Sequence, residues 1–275
     1  MKNKFLIFII YGLLFCSLYA ENMNIQSKKI SIDKKNEISI FEGDVVVTTD
    51  NQSKLKSDYA KLDKKTNILI LEKNVQLEDQ NGNFIETNYA EYKKNLNIFE
   101  TKGETKIITS EKYIIDGYDI NYDNKSETIR SSKKTVITDL ETNKIYLENF
   151  EYNFIKFFFK SVGSINIIDK LDNSYKFSQI YIDTKKKEII GTDAKAFMNH
   201  DDFKADSKNK PRIFSNSIKI SNNGESEFNK SVFTLCDYRP EDKCPPWEIR
   251  SSHMLHDNKK KTIYYENALI KVYNI

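Results

Sequence analysis

The side chains with redox or metal chemistry gather near the C-terminal end: Cys236, Cys244, His253 and His256, with the single tryptophan, Trp247, between them. Two thiols and two imidazoles match a zinc site in number and type. The C-x7-C spacing is not that of a zinc knuckle, however, and an exported chain meets an oxidising compartment in which cysteines pair. The balance favours disulfide chemistry, so Cys236 and Cys244 are the disulfide candidates. They could close on each other around R-P-E-D-K, or each could reach a cysteine elsewhere; two inert thiols are the remaining option. Pro245 and Pro246 stiffen the approach to Trp247 and keep that stretch out of a central strand. The other histidine, His200, stands apart. The chain holds no G-x-S-x-G, P-loop, dinucleotide glycine pattern or H-E-x-x-H. The sequence therefore assigns no catalytic residue, no metal and no cofactor, and an enzyme is not expected.

What surrounds this cluster is a repeating text. A shift of thirty residues brings the chain into register with itself. Ile25–Ile32, Leu55–Leu62 (L-K-S-D-Y-A-K-L), Ile85–Tyr92 (I-E-T-N-Y-A-E-Y), Ile115–Tyr122, Ile145–Tyr152 and Tyr175–Ile182 follow without a gap. Ile213–Ile220 comes after an insertion of eight residues, and Ile249–His256 follows more loosely. Most blocks end apolar-x-apolar: Ala60 and Leu62, Ala90 and Tyr92, Ile120 and Tyr122, Phe150 and Tyr152, Ile180 and Ile182. This period of two puts each pair on one face of a strand. Polar turns such as D-K-K-T and D-N-K-S follow, where Asp and Asn bond nearby backbone. A second strand comes next (N-I-L-I-L from Asn67). A small or polar corner at Gly43, Lys73, Gly103 or Lys134 then leads into a third.

Three short strands per repeat and no sustained helical period predict an all-β fold. In it, repeats stack along one axis into an elongated β-jellyroll with a continuous apolar interior. An ordinary closed sandwich is the alternative. Such a stack has unpaired strands at its ends, and these can template a partner's strand. The edge carrying Ile25, Ile30 and Ile32 has no preceding repeat to cover it.

The first twenty residues read as a cleaved secretory signal: Lys2 and Lys4, an apolar run from Phe5 to Phe15, then Ser17 and Ala20. Of 43 basic residues two belong to this stretch, and 40 acidic residues balance the rest. The near-neutral remainder offers no field for nucleic acid. The lysine runs at 34–35, 64–65, 185–187 and 259–261 fall in turns. The chain divides into the signal (1–20), the jellyroll (21–231) and a Cys/Pro/Trp segment (232–275) that supplies the last strands.

The motifs E-G-D-V-V-V, K-S-D-Y-A-K-L-D and E-T-N-Y-A-E-Y resemble the OstA-like domains of the lipopolysaccharide transport system. Its members include the bridge protein LptA, the membrane-anchored LptC and the periplasmic part of LptD. The segment F-T-L-C-D … C-P-P-W-E-I-R-S-S-H-M-L-H-D … Y-E-N-A-L-I-K-V-Y-N-I is most similar to the LptD-like members. The resemblance implies an N-terminal, periplasmic part of an outer-membrane protein whose transmembrane β-barrel is absent from these 275 residues. It implies lipopolysaccharide as ligand, with acyl chains in the interior and sugars outside, and passage towards the barrel. An LptA-like bridge would dock on the N-terminal edge, and an LptE-like lipoprotein would act through the missing barrel. Family disulfides join the periplasmic part to the barrel, so here Cys236 and Cys244 would pair together or stay free. The lipid-lining candidates are Ala60, Leu62, Ala90, Tyr92, Ile120, Tyr122, Phe150, Tyr152, Ile180 and Ile182; the opposite parity is the alternative lining. A soluble bridge or scaffold of the LptA/LptC type is the competing function.

Overall fold

The computed structural model describes residues 23–49, 52–199, 211–235 and 247–272. The expected signal peptide, Cys236, Cys244 and His200 lie outside these residues. Among the described residues there are 22 strands and one 3-10 turn, Lys94–Leu96, and no α-helix. Every pairing is antiparallel, and where a rung is split into two short strands each half pairs with the neighbouring rung. Ile38–Thr48 pairs with Lys54–Asp63, which pairs with Ile68–Glu78, which pairs with Phe84–Lys93. The meander continues to Trp247–Asp257, which lies along Glu225–Thr234. The all-β jellyroll expected from the alternation is therefore the fold found.

Each strand is bent near its middle. Four inner rungs of the meander, besides the two edge rungs, are interrupted there and form two short strands each: Ile98–Thr101 with Glu104–Ile108, Ile114–Tyr118 with Asn121–Asp123, Thr128–Ser131 with Thr135–Thr138, and Lys144–Leu147 with Phe150–Asn153. The thirty-residue repeat is thus two bent strands rather than three short ones. The corner at Lys73 and Asn74, both at positive φ, folds Ile68–Glu78 without ending it, because its ladder with Phe84–Lys93 resumes at Val75.

The bend also fixes which residues face inward. Strict alternation would expose the second half of a strand if its first half were buried. An odd residue at the corner slips the parity, so Leu55 and Ser57, then Ala60, stay inside. One hydrophobic cluster runs through both halves from Phe41 to Met254. Burying each such side chain contributes about 1.5–3 kcal/mol. At the crease the inward positions are small: Ser57, Thr87, Thr101, Gly117, Ser131, Ser161 and Gly191. A Cβ on Gly191 would come within 2.3 Å of the Phe177 ring. Hydroxyls there satisfy carbonyls of the bend: Ser131 Oγ donates to Tyr118 O and Ser161 Oγ to Asn149 O, both at 2.6 Å.

The repeat is written in the backbone as well. Left-handed residues recur every thirty positions at Glu37, Asn67, Asn97, Glu127, Phe157 and Lys187, and again at Gln52, Gly82, Lys112, Thr142 and Asp172. The first series closes one row of hairpin loops, the second the opposite row.

Two edges are left open among the described residues. Asn24–Gln26 and Lys29–Asp33 pair only with Ile38–Thr48. Thr262–Glu266 and Leu269–Val272 pair only with Trp247–Asp257. On the first edge Ile25 is half-buried, while Ile30 and Ile32 are 52% and 61% exposed.

Candidate functional site

The two half-sheets meet at the crease and face each other across the interior, so the molecule has a long mouth between two rows of hairpin loops. The first lip consists of loops 79–83, 109–113, 139–143 and 169–173. It is stitched by a repeated Asp-x-x-x-Asn device. Asp79, Asp139 and Asp169 accept from the backbone N–H and side-chain amide of Asn83, Asn143 and Asn173. Each asparagine then accepts from the next loop, through the N–H of Ser110, Lys170 or Asn199. The second lip includes loops 33–37, 63–67, 93–97, 123–127, 153–157, 183–187 and 221–224, where an aspartate such as Asp63 or Asp183 caps most of the turns.

Side chains cross the mouth at some rungs. Tyr122 donates its hydroxyl to Asp79 Oδ2 at 3.0 Å, and Asn81 Nδ2 donates to Glu127 Oε2 at 2.8 Å. Burial, then the nearby Asp79 charge, pushes the Tyr122 phenol far above its ordinary value, so it is a neutral donor. Below this seal Leu69, Leu77, Ile85, Phe99 and Ile107 are at most 2% exposed. One repeat further, Tyr152 bonds Glu111 and Thr184, each at 3.1 Å, and burial again raises its phenol.

Beyond Tyr152 the lips part. A cleft of about 580 Å³ opens between loops 139–143 on one side and 184–187 and 221–224 on the other. Its floor is Ile115, Ile137, Ile145, Phe159 and Ile182, and its rim includes Tyr113, Asp139, Glu141, Lys185 and Lys187. Tyr113 is half-buried and its phenol is raised by that burial. Glu141 is held below its ordinary value, first by the Lys170 ammonium and to a smaller extent by Lys187 across the mouth. An apolar floor with charged lips can hold a chain-like apolar ligand and leave its polar end at the rim.

The ten lining candidates all face the interior. Leu62 is half-buried and the other nine are buried. Only Tyr152 and Ile182 reach the cleft; Ala60, Ala90, Tyr92, Ile120, Tyr122, Phe150 and Ile180 are packed into the core. The opposite wall holds Ile115, Ile137 and Ile145; in their blocks Ile115 and Ile145 have the parity of the alternative lining. For these two the signal was the first apolar residue of the eight-residue block, which returns to the same enclosed face once the bend is counted, whereas Ile137 lies between blocks on Thr135–Thr138.

The histidines do not converge. His253 and His256 stand on opposite faces of Trp247–Asp257: His256 is buried, and His253 is half-exposed with its ring nitrogens 3.9 Å from Glu227 and Glu266. Among the described residues no group of three or more His, Cys, Asp or Glu side chains could hold a metal ion. No helix among them is long and apolar enough to cross a membrane.

Residues 19–139 match the family model described as lipopolysaccharide-assembly, LptC-related. No curated protein matches the chain. Among solved structures, LptH of Pseudomonas aeruginosa, described as the LptA-homologous periplasmic component of the lipopolysaccharide transport device, is 15% identical. That alignment covers 62% of this chain and 82% of LptH, with a TM-score of 0.19. The TCP10 domain of Danio rerio CPAP is 8% identical over 57% of this chain and 95% of that one, with a TM-score of 0.15. Neither superposition is close enough to bear on function.

Proposed function

We propose that the chain is a non-enzymatic, periplasmic component of lipopolysaccharide transport, of the LptC/LptA bridge type, which carries acyl chains in the mouth of its jellyroll. The observation that carries this reading is the apolar-floored cleft of about 580 Å³, opening from a continuous core. The lipopolysaccharide-assembly match over residues 19–139 supports it independently. Each buried methylene contributes about 0.8 kcal/mol, so several acyl chains resist exit into water while sliding along a groove changes their energy little. Transport then needs a push from elsewhere and no local catalysis. The open edge with Ile25, Ile30 and Ile32 is the natural seat for the strand of a similar jellyroll, LptA-like in build. An inner-membrane-associated or free periplasmic location fits both features.

The finer LptD-like reading, with delivery to an outer-membrane barrel and an LptE-like partner, rests on the Cys/Pro/Trp segment. Trp247–Asp257 from that segment is a rung of the stack, which both readings accommodate.

Native mass spectrometry of the purified protein with lipopolysaccharide tests the proposal. A stoichiometric complex that resists salt is expected. A protein that binds partner strands and never lipid would be a scaffold, and the proposal would fail.

A further inference from the structure

The left-handed position that closes each second-lip loop is the same in geometry from repeat to repeat and different in chemistry. It holds Glu37, Asn67, Asn97, Glu127, Phe157 and Lys187. At the sealed rung Glu127 reaches across and accepts from Asn81. At the cleft the equivalent residue is Lys187, with Lys185 two positions before it on the same rim.

The charges around these two lysines are unequal in their commitments. On the facing lip, the Asp139 carboxylate is taken up by the backbone N–H groups of Glu141 and Asn143 and by the Asn143 amide. Glu141 is paired with Lys170 at 2.7 Å. Next to them, Lys186 is paired with Asp183 at 3.2 Å. Among the described residues no carboxylate lies within ion-pair distance of Lys185 or Lys187, and the Lys185 ammonium sits 5.6 Å from the Phe157 ring centre. Two exposed cations with no carboxylate in ion-pair distance among the described residues therefore stand at the rim of an apolar floor made by Ile137, Ile145, Phe159 and Ile182.

We propose that Lys185 and Lys187 are the headgroup subsite of this cleft, and that its ligand is an amphiphile bearing phosphate on its polar end. The phosphate sits on the two ammonium groups while the acyl chains occupy the floor. This inference rests on the functional reading above and adds what the polar end must be. Lysine recognises phosphate as a point charge, and an exposed site of this kind is weakened by salt.

The test uses the purified chain and two probes with identical acyl chains, lipid A carrying its phosphates and the same lipid enzymatically dephosphorylated. The wild-type protein should bind the phosphorylated form about tenfold more tightly, with the advantage shrinking as salt rises. The double variant Lys185→Glu/Lys187→Glu should lose that advantage and keep its affinity for the dephosphorylated lipid. Glutamate is already borne at this left-handed position by Glu37 and Glu127, so the variant is compatible with the backbone. Lys185→Gln/Lys187→Gln should fall between the two. Inorganic phosphate alone should not displace the lipid at concentrations that leave ionic strength unchanged; displacement by it would mean a free-phosphate site and overturn the proposal. Equal binding of both probes by the wild type would also overturn it while leaving the functional reading in place. A loss by the Glu variant of both probes alike would show a structural role and overturn it too. Binding of neither probe would overturn the functional reading and this inference together.

Discussion

The rung at Asp79–Tyr122 and the rung at Asp139–Ile182 are built on the same repeat, yet one is shut and the other open. In the first, Tyr122 and Asn81 bond across the mouth to Asp79 and Glu127, and the residues beneath are sealed. In the second, Lys187 takes the place of Glu127, Leu140 is exposed, and Ile189 and Ile220 are only partly buried. The difference shows that strand pattern sets the fold while loop chemistry sets access. A few polar side chains at the lips decide whether the same apolar interior is a core or a binding site.

Truncation of the floor should separate the two regions most strongly. Ile120→Ala removes a side chain packed on all sides and should cost towards the upper end of the range of about 2–5 kcal/mol. Ile182→Ala borders the cleft, so part of its volume already faces a void, and it should cost towards the lower end. Urea denaturation of both variants measures the gap, and equal costs would mean the two regions are packed alike.

Gly191→Ala asks whether the crease is as tight near the open rungs as the backbone implies. The added Cβ would collide with the Phe177 ring, for a cost of about 1–3 kcal/mol by thermal or denaturant unfolding. A neutral substitution would mean that Phe177 has room to move aside.

The seal itself should be worth less. Tyr122→Phe keeps the ring and removes only the bond to Asp79, so about 1 kcal/mol of stability should go. The same variant should increase exchange of the amide protons near residues 79–83, which a purely packing role for the ring would not change.

Acid should affect both regions alike and gently. Asp33, Asp63, Asp183 and Asp257 are held below their ordinary carboxyl values, first by backbone N–H donors of their own turns. A carboxyl depressed in the folded state gives stability above its unfolded pKa, and that stability is lost as pH falls through the folded value. Melting temperature should therefore be flat near neutrality and decline only below the ordinary carboxylate range. Asp33 is exposed and Asp63 and Asp183 are only half-buried, so the decline should be shallow, with buried Asp257 contributing most of it.

Much of this was legible in the sequence. The thirty-residue period gave the stack, and alternation alone placed Ala60, Ala90, Ile120 and Ile180 inside. The corner at Lys73 and Asn74 read as a strand end because positive φ at two polar residues has the composition of a turn, though here it only folds one strand. The seal was not legible. Asp79 and Tyr122 are 43 positions apart, and no local pattern links a loop aspartate to a strand tyrosine. His253 and His256 are three positions apart in one continuous stretch of Trp247–Asp257, so alternation alone puts them on opposite faces.

The most direct test of the account is to place a photo-crosslinking residue at position 182, in the cleft, and separately at position 120, under the seal, and to load each protein with lipopolysaccharide. Efficient capture at 182 with little at 120 is the predicted result. Capture at 120 as strong as at 182, or none at 182 in protein that still binds lipopolysaccharide, would contradict it.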